Sequence, residues 1–537
     1  MRYAGLMKIL SIKKLIIVFV SLCLATSSFG TVFAAAKRIK PSKQLQQKQS
    51  QEKSWAEVFA STKDKVVQIF SYGRAFDWTQ PYKQGDLEGC SGTGFLVSAY
   101  GDIYTNFHVV NGAELIFIQM PQLGKERFAV QFIGGSPQFD CAHLKINAPD
   151  LERMKALLAV KELDYLHLGD SDNLQQGQEV MLLGYPMGEE NVKGAHGIIS
   201  GHEQTDWGEC MSTTTPSNPG NSGGPYMDKN GDVIGICVGG WVYAQGINYL
   251  LPITRLKVIL DELRDGKVVD MPFWGLHIAS TTPATLQFLG NHADAGVYVS
   301  AVAKDSLASK AGIEQGDIIA QINGWPVDRF GYMTVPWTKY KVALSDGLAR
   351  IKTGSEATFV IYRGGKKVTC SAIVTLDTPL KIRKYYPPFH QTPPYIVFGG
   401  MVIMELTQNH MEMIGELADQ LIRRKKYIEA FRFFNEAHKY ASKLFITHIF
   451  PESELGKNRV FQIPDRLISK VNGIEVSTIC EFEQAVCAHA KSGHITVQTE
   501  QGSIVALPIA DVLKQDPVFA EKYQYDLPEL VMRLGQS

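Results

Sequence analysis

Three residues that lie far apart along the chain have the types that nucleophilic serine chemistry requires. They are His108 in "YTNFHVV", Asp140 in "SPQFDCAHLKI" and Ser222 in "SNPGNSGGP". A serine hydroxyl attacks a carbonyl when a histidine takes its proton and a carboxylate holds that histidine in place. We therefore assign His108 as general base, Asp140 as its orienting group and Ser222 as nucleophile. His143 is a rival base, but it follows Asp140 within a predicted strand.

The glycines around Ser222 predict the second part of such a site. Small residues let a tight turn point backbone N–H groups at one spot and let a substrate approach closely. We expect the amides of Gly220, Asn221 and Ser222 to form an oxyanion hole, in which each donor is worth about 3 to 4 kcal/mol of the barrier. Taken alone, a run of Asn, Pro and Gly is as typical of a plain turn between strands as of a catalytic loop.

The elements that must position these residues are strands. Short β-rich runs separated by turn signals recur over residues 55–265, and this spacing is typical of an all-β barrel or sandwich. The predicted strand runs are "KVVQIFSYG", "GTGFLVSAYGDIYTN", "ELIFIQM", "RFAVQFIGG", "CAHLKI", "EVMLLGYP", "GIISGHE", "DVIGICVGG" and "GINYLLPI". Residues 254–263 have helical apolar spacing and should end the unit. Among serine proteases, the chain order His, Asp, Ser is that of the chymotrypsin-like double barrel. We therefore predict a chymotrypsin-like protease domain with the site in the cleft between its two β-barrels.

Two further modules are predicted after it, over residues 270–380 and 390–520, followed by a C-terminal tail at 521–537. The second module of the chain, directly after the protease domain, contains "GDIIAQINGWPVDR", and the third module contains "DRLISKVNGIEVST". Asn-Gly between apolar runs is a strong hairpin signal, and its recurrence indicates two copies of one α+β module. Residues 410–440 of the second copy have a helical pattern. The chain as a whole is therefore predicted to be multidomain and mainly β.

The first residues are predicted to target the chain rather than to fold with it. Residues 1–36 combine basic residues, a long apolar run and an Ala-rich end, which is the pattern of a cleaved signal peptide. An uncleaved membrane anchor is the alternative, because the apolar run approaches spanning length. Residues 37–54 form a polar, Lys/Gln-rich linker. We expect an exported, periplasmic protein with no stable membrane span after cleavage; secretion, or anchoring by an uncleaved signal, is the alternative.

The composition argues against several other classes of protein. Lys+Arg and Asp+Glu are equal at 54 each, whereas a nucleic-acid partner usually leaves a basic excess. Seven of the 8 Cys remain once Cys23 is removed with the signal, and an odd, dispersed set is not a disulfide framework. No CxxC pair, Walker motif or HExxH motif occurs, so we predict neither a metal nor a nucleotide cofactor. Whether two of the cysteines pair stays open.

Residues 55–260 resemble the HtrA/DegP family of serine proteases. The similarity rests on stretches around the histidine, the aspartate, the serine and a later strand: "TNFHVV", "FDCAHLKI", "SNPGNSGGP" and "GINYLLPI". Cys141, His143 and the pair Tyr249-Leu250 depart from the family pattern and leave the finer shape of the pocket open. The resemblance implies an ATP-independent serine endopeptidase of protein quality control that acts on unfolded or damaged exported proteins, with chaperone activity in addition. It also implies a homo-oligomer built from trimers.

The resemblance further implies that the two modules are PDZ-like. A PDZ module adds an extended peptide as a strand and holds its carboxylate with backbone N–H groups. In the second module "FWGLHI" would form that groove, lined by Gly275, Leu276, His277 and Ile278. The long insertions are similar to those of the plant-type Deg proteases, whose last module is divergent and serves assembly. We therefore do not expect the third module to capture peptides.

The specificity pocket is assigned to two stretches of the second barrel. Its members are Thr215, Pro216, Ser217, Asn218, Gly239 and Gly240. No acidic residue lies in "CVGGWVYAQGINYL", which argues against a preference for Arg or Lys, and we expect cleavage after small or medium aliphatic residues. Two other functions remain open: a processing protease dedicated to one partner substrate, and a chaperone or binding protein whose protease unit is mostly a scaffold.

Overall fold

The structure of the protein is a computed structural model. It describes residues 53–74, 76–83, 85–205, 208–240, 247–266, 268–269, 271–290, 295–376, 393–416, 442–458 and 466–536. The predicted signal peptide at 1–36 and the predicted linker up to residue 52 lie outside the described residues. Within the ranges that the structure describes, no helix is both long and apolar enough to cross a bilayer.

The first β-barrel is closed by six strands in the order β1-β2-β3-β6-β5-β4. The strands are β1 (Val66–Arg74), β2 (Leu87–Leu96), β3 (Asp102–Thr105), β4 (Ala113–Gln119), β5 (Arg127–Ser136) and β6 (Cys141–Ile146). Val67 and Ile69 of β1 and Leu144 of β6 are among the side chains that fill it, because alternate residues of a strand point to the same face. The accompanying helices are α1 (Trp55–Thr62), α2 (Phe107–Val110) and α3 (Ala148–Leu158).

The second β-barrel has the strand order β10-β11-β12-β9-β8-β7. Its strands are β7 (Glu179–Gly184), β8 (Lys193–Thr205), β9 (Gly208–Thr213), β10 (Pro225–Met227), β11 (Val233–Gly240) and β12 (Asn248–Pro252). The two closed barrels confirm the predicted double β-barrel, although β9 and β10 lie outside the predicted strand runs. The helix predicted over 254–263 is two short helices, α4 (Ile253–Leu256) and α5 (Leu260–Arg264), separated by a turn that contains the β-branched pair Val258-Ile259, whose side chains favour helix less.

The second module is built on one sheet with the order β13-β14-β15-β19-β20, and β16 pairs with β15. Its strands are β13 (Leu276–Ala279), β14 (Val297–Val302), β15 (Ile318–Ile322), β16 (Trp325–Pro326), β17 (Tyr332–Met333), β18 (Val342–Ala343), β19 (Glu356–Arg363) and β20 (Lys366–Ile373). Its helices are α6 (Pro283–Phe288), α7 (Leu307–Lys310) and α8 (Leu344–Ala349). In this sheet β13 is an edge strand.

The third module has a sheet of the order β21-β22-β23-β24-β26-β27, and β25 pairs with β24. Its strands are β21 (Tyr395–Phe398), β22 (Met401–Glu405), β23 (Leu444–Ile449), β24 (Leu467–Val471), β25 (Ile474–Glu475), β26 (His494–Thr499) and β27 (Ile504–Pro508). Its described helices are α9 (Gln408–Glu416), α10 (Glu454–Asn458), α11 (Ile479–Ala488), α12 (Ile509–Tyr523) and α13 (Glu529–Gln536).

The two Asn-Gly pairs form the same hairpin in both modules. Asn323-Gly324 joins β15 to β16 and Asn472-Gly473 joins β24 to β25. All four residues have positive φ, between 49° and 80°, as a type I′ turn requires. In each copy the Asn Oδ1 accepts a hydrogen bond from a threonine amide, that of Thr358 or Thr496, at 2.8 Å. The internal repeat predicted from the sequence is therefore a repeat of structure.

The last two helices belong to the core of the third module. Leu530, Val531 and Leu534 of α13 are buried in one apolar cluster with Val512 of α12, because residues three and four apart share a helix face. Residues 521–536 complete α12 and form α13, which differs from the C-terminal tail that we expected at 521–537. Of the predicted helical stretch 410–440, α9 covers the start, and residues 417–441 lie outside the described residues.

Both modules contact the protease domain. In the second module, Arg350 Nη1 lies 2.6 Å from Asp172 Oδ1, and Nη2 lies 3.5 Å from Glu209 Oε2 at the start of β9. In the connection between β1 and β2, Tyr82 is buried and packs its ring against Phe450 of the third module at 5.2 Å between centroids. The second module is therefore joined to the second barrel by charge, and the third module to the first barrel by aromatic packing.

Candidate active site

His108 and Asp140 are brought together by the first barrel. His108 lies on α2, directly after β3, and Asp140 ends the turn before β6. The Nδ1 atom of His108 is 2.8 Å from Asp140 Oδ2, and Oδ1 accepts a hydrogen bond from the His108 amide at 3.0 Å. The Asp140 carbonyl accepts from Asn106 Nδ2 at 2.9 Å, so the turn is tied to the segment that carries the histidine. A carboxylate only accepts, so Nδ1 carries the ring proton and Nε2 is left to take another.

The two side chains differ sharply in exposure. The His108 side chain is 46% exposed, whereas that of Asp140 is 4% exposed. Water therefore does not compete for the carboxylate, while the imidazole stays open to a substrate in the cleft. A general base must be accessible to substrate while its orienting carboxylate stays buried, and the two side chains meet these requirements.

Ser222 lies in the loop between β9 and β10, on the second barrel. This loop meets the first barrel at Gly92 of β2, where a Cβ would lie 2.6 Å from Val109 and 3.2 Å from the Ser222 carbonyl oxygen. The same carbonyl accepts a hydrogen bond from the Thr93 amide at 2.8 Å. Ser222 and His108, both described, make no hydrogen bond to each other. The nucleophile therefore lies beside the helix of the base, and their contact has to form before a proton can pass, as in many sites without substrate.

The Gly220 amide is one donor that is free for an oxyanion. The Pro219 carbonyl on the same peptide group accepts a hydrogen bond from the Met187 amide at 2.6 Å. In a trans peptide the N–H points opposite to the C=O, so this bond turns the Gly220 N–H away from Met187, and the N–H donates to none of the described residues. Gly220 has a φ of 99°, and a Cβ here would overlap the Tyr185 carbonyl oxygen. Only glycine fits this position.

The Ser222 amide is the second free donor, and Asn221 differs from both. The Asn221 carbonyl accepts from the Gly224 amide at 2.9 Å, which turns the Ser222 N–H in the opposite direction, where it meets no acceptor in the described part of the chain. The Asn221 amide itself donates to the Asn218 carbonyl at 3.0 Å. The backbone amide of Asn221, which we expected among the oxyanion donors, is therefore engaged within the loop.

The expected pocket residues fall on two segments. The loop after β9 carries Thr215, Pro216, Ser217 and Asn218, and the end of β11 carries Gly239 and Gly240. Asn248, which the sequence did not single out, donates through Nδ2 to the Thr215 carbonyl at 2.7 Å. Ser217 Oγ is 3.3 Å from the Sγ of Cys237, and burial raises the pKa of that thiol. The described part of the wall is thus polar and uncharged; residues 241–246 lie outside the described residues.

The expected groove of the second module lies at an open strand edge. Its residues stand at the turn into β13 and along that strand: Gly275, Leu276, His277 and Ile278. On one side β13 pairs with β14, and on the other side it has no partner among the described strands. Gly275 has a φ of 62°, a Cβ there would overlap Ser306, and its carbonyl accepts from the Ala303 amide at 2.8 Å. An open edge of this kind can take a peptide as an added strand.

The third module has the same glycine turn before β22, but there the strand edge is already paired. Gly400 matches Gly275, because a Cβ there would overlap a serine, Ser453, and its carbonyl accepts from the Phe450 amide at 2.9 Å. However, β21 pairs along the edge of β22 that β13 leaves open.

A buried carboxylate also occupies this turn of the third module. Asp516 of α12 accepts a hydrogen bond through Oδ2 from the Gly399 amide at 2.8 Å. Burial raises the pKa of this carboxyl to about 7, and the amides of Gly399 and Gly400 oppose the rise in part. In the third module, β21 thus occupies the strand edge that a bound peptide would use, and Asp516 occupies a backbone amide at the turn. No local pattern in the sequence marks Asp516 for this place.

Comparison with known families matches three segments of the chain. Residues 92–236 match a trypsin-like peptidase domain, and residues 271–335 and 386–526 each match a PDZ domain. These segments correspond to the double barrel and to the two modules after it.

Comparison with curated proteins finds relatives that are named as serine proteases. The "Probable periplasmic serine endoprotease DegP-like" of Chlamydia trachomatis serovar D is 30% identical over 436 residues, which cover 79% of this chain and 74% of that protein. The protein of the same name from Marinomonas sp. is 29% identical over 311 residues, 56% of this chain and 60% of that protein. The "Putative serine protease HhoB" of Synechocystis sp. is 29% identical over 272 residues, 48% of this chain and 62% of that protein. The chain thus spans about 60% of the length of several of these relatives.

One solved structure is similar over part of the chain. It is the "HtrA-type protease AlgW with decapeptide", which is 25% identical with a TM-score of 0.46, and the match covers 60% of this chain and 98% of that one.

Proposed function

The chain belongs to the HtrA/DegP family of serine proteases, and we propose that it is a serine endopeptidase. Ser222 is the nucleophile, His108 the general base and Asp140 the carboxylate that orients the base. The observation that carries the proposal is the His108–Asp140 pair, in which one carboxylate accepts the ring N–H at 2.8 Å and the backbone N–H at 3.0 Å. Two bonds from one residue to one carboxylate fix the direction of the imidazole, as base catalysis needs.

The reaction follows from these positions. Ser222 Oγ attacks the carbonyl carbon of a bound peptide while its proton passes to His108 Nε2, and the buried Asp140 stabilises the imidazolium. The oxyanion accepts hydrogen bonds from the Gly220 and Ser222 amides, whose directions are set before substrate binds. His108 then gives the proton to the leaving amine and an acyl-enzyme remains. Water, deprotonated by His108, hydrolyses the ester and restores Ser222.

The substrates in this proposal are unfolded or damaged exported proteins, and the place of action is the periplasm. Two of the relatives carry "periplasmic" in their names, and residues 1–36 have the pattern of a signal peptide. A protease cleft takes a polypeptide in extended form, which an unfolded chain offers and a folded one does not. Chaperone activity and assembly from trimers belong to the same proposal, with support from the family resemblance.

The pocket in this proposal takes small or medium aliphatic residues before the cleaved bond. The absence of charge from the described segment around Thr215, Ser217 and Cys237 argues against Arg or Lys at this position, because a buried cationic side chain would need a negative partner there. The open edge of β13 supports peptide capture by the second module, through Gly275, Leu276, His277 and Ile278. The filled edge and the Asp516 carboxylate support the view that the third module does not capture peptides.

Incubation of the mature chain, residues 37–537, with casein tests the endopeptidase. We expect cleavage by the wild type and none by Ser222→Ala. If both leave casein intact yet suppress the aggregation of an unfolded protein, the protease unit is a scaffold and the endopeptidase proposal is wrong. A profile of cleavage sites over many unfolded proteins separates the substrate classes: many sites after small or medium aliphatic residues are expected, and one narrow sequence would indicate a dedicated processing enzyme.

A further inference from the structure

Thr93 of β2 joins the two halves of the site through four hydrogen bonds. Its hydroxyl donates to the Gly220 carbonyl at 2.7 Å and accepts from the Tyr185 amide at 3.1 Å. Its amide donates to the Ser222 carbonyl at 2.8 Å, and its carbonyl accepts from the Thr105 hydroxyl at 2.7 Å. Thr93 is fully buried. Every polar group of this residue therefore has a partner, and two of the partners belong to the loop of the nucleophile.

The bond to the Gly220 carbonyl fixes the peptide group that lies between the two free oxyanion donors. The carbonyl end points to Thr93 on the first barrel, and the amide end, on Asn221, points to the Asn218 carbonyl at 3.0 Å. Glycine allows wide rotation on its side of a peptide group. Without a partner for its carbonyl, this peptide can turn over, which changes the angle between the Gly220 and Ser222 amides. The hydroxyl of Thr93 opposes that rotation.

The same residue is tied to the segment of the base. Thr105 ends β3, three positions before His108, and its hydroxyl donates to the Thr93 carbonyl. A β-branched side chain has few χ1 rotamers, so Thr93 holds its hydroxyl in one direction. The hydrogen bonds from Thr105 to Thr93 and from Thr93 to Gly220 thus connect the segment of the base on the first barrel with the oxyanion loop on the second.

We infer that Thr93 is a positioning residue of the proposed reaction, whose hydroxyl holds the Gly220 peptide so that the Gly220 and Ser222 amides stay aligned with His108. The inference rests on the proposed function. Thr93 acts through the oxyanion loop and does not meet the substrate. Since the oxyanion exists only after attack, loss of the hydroxyl should slow the chemical step and leave substrate binding nearly unchanged.

The experiment compares kcat and KM of three variants on a peptide amide that the wild type cleaves. Thr93→Val keeps the shape and the bonds of the Thr93 backbone but removes both bonds of the hydroxyl, to the Gly220 carbonyl and from the Tyr185 amide. Thr93→Ser restores the hydroxyl. Thr62→Val is the matched control, because Thr62 is also buried and its hydroxyl donates to the Val58 carbonyl of α1 at 2.6 Å, remote in sequence from the oxyanion loop. Thermal midpoints of all variants are measured alongside.

We expect kcat of Thr93→Val to fall about 10- to 100-fold, below the loss of about 10²- to 10³-fold for a missing oxyanion donor, with KM within about twofold. Thr93→Ser should stay within about threefold of the wild type in kcat, and Thr62→Val should keep the wild-type kcat although its thermal midpoint falls. If Thr93→Val does not fold, Thr93→Cys takes its place, because a thiol is close in size and a weak donor; a fall in kcat of about tenfold is then expected.

Three results would overturn the inference: a kcat of Thr93→Val equal to that of Thr62→Val, a Thr93→Ser as slow as Thr93→Val, or a loss confined to KM. A wild type that cleaves no substrate would instead overturn the proposed function. The two failures are therefore distinct, because an active wild type with an unaffected Thr93→Val contradicts the role of Thr93 alone.

Discussion

Asp516→Asn should stabilise the third module more at pH 8 than at pH 5, by about 2.5 kcal/mol. Asp516 is fully buried and accepts the Gly399 amide at 2.8 Å. Burial raises the pKa of its carboxyl to about 7. Asparagine has the shape of the protonated acid and can still accept from Gly399, but it carries no charge at any pH.

The magnitude follows from the difference between the folded and the unfolded pKa of Asp516. The ordinary value is about 3.9, so the folded state binds the proton more tightly, and the stability that this proton contributes is complete below about pH 4 and is lost as the pH rises through about 7. A pKa difference of about 3 is worth about 4 kcal/mol in total, of which about 2.5 kcal/mol falls between pH 5 and pH 8. The wild type should lose this amount over the range, and Asp516→Asn should not.

His410 in the same module contributes with the opposite sign. Its imidazole is buried, and burial lowers its pKa to about 4. The unfolded state therefore binds the proton more tightly, and the contribution of His410 to stability grows as the pH rises from about 4 to about 6.5. The wild type and Asp516→Asn both keep His410, so the difference between their pH profiles isolates the contribution of the Asp516 carboxyl.

Oxidation of methionine in a urea gradient measures this difference on the full chain. Met401 and Met404 of β22 are buried, so hydrogen peroxide oxidises them where the third module is unfolded, and mass spectrometry of their peptides gives a midpoint for that module. Asp511→Asn is the control for the exchange of a carboxylate for an amide, because Asp511 lies exposed on the same helix. Parallel pH profiles for wild type and Asp516→Asn would refute the reasoning.

Further predictions concern the site and the contact of the second module. Asp140→Asn should lower kcat by about 10³- to 10⁴-fold with little change in KM, because an amide does not hold the Nδ1–H tautomer of His108; in steady-state kinetics on a folded variant, a loss of tenfold or less would contradict the assigned role. Gly220→Ala should lower kcat about 10²-fold or more, because a Cβ overlaps the Tyr185 carbonyl oxygen; an unchanged kcat at an unchanged thermal midpoint would remove this amide from the mechanism. Arg350→Ala should raise hydrogen exchange in the hairpin of β8 and β9 at least about tenfold, because it leaves Glu209 and Asp172 without their shared cation, at a cost of about 3 to 5 kcal/mol where such groups are buried; exchange at the wild-type rate would show that this contact does not hold the module.

The features that the sequence predicted are those with a local signal. His108, Asp140 and Ser222 stand in motifs whose residue types and order are specific to one chemistry, and the short β-rich runs around them are typical of a barrel or sandwich. The Asn-Gly pairs predicted their hairpins because the turn needs positive φ at both positions. The pattern at 254–263 indicated a helix but not its break, since periodicity reports which residues share a face and not whether every turn closes.

The features that were missed depend on residues that meet only in the folded chain. Thr93 contacts Gly220 across 127 positions, and nothing near Thr93 marks it as the partner of an oxyanion loop. The sequence neighbours of Asp516 are those of an ordinary solvent-exposed helix residue. Its burial results from the packing of α12 on the turn at Gly399. Asn221 was assigned as a donor because a sequence shows which amides exist, and not that one of them already donates to Asn218.

Reaction of the mature chain with a fluorophosphonate tests most directly whether Ser222 is an activated nucleophile. Such a reagent phosphonylates a serine whose proton has a base to accept it. We predict one adduct per chain, found on Ser222 by tandem mass spectrometry, absent in Ser222→Ala and slowed at least about 10³-fold in His108→Ala, with Thr62→Val reacting at the wild-type rate. An adduct on another serine, or reaction of Ser222 in His108→Ala at the wild-type rate, would contradict the assignment of the catalytic residues.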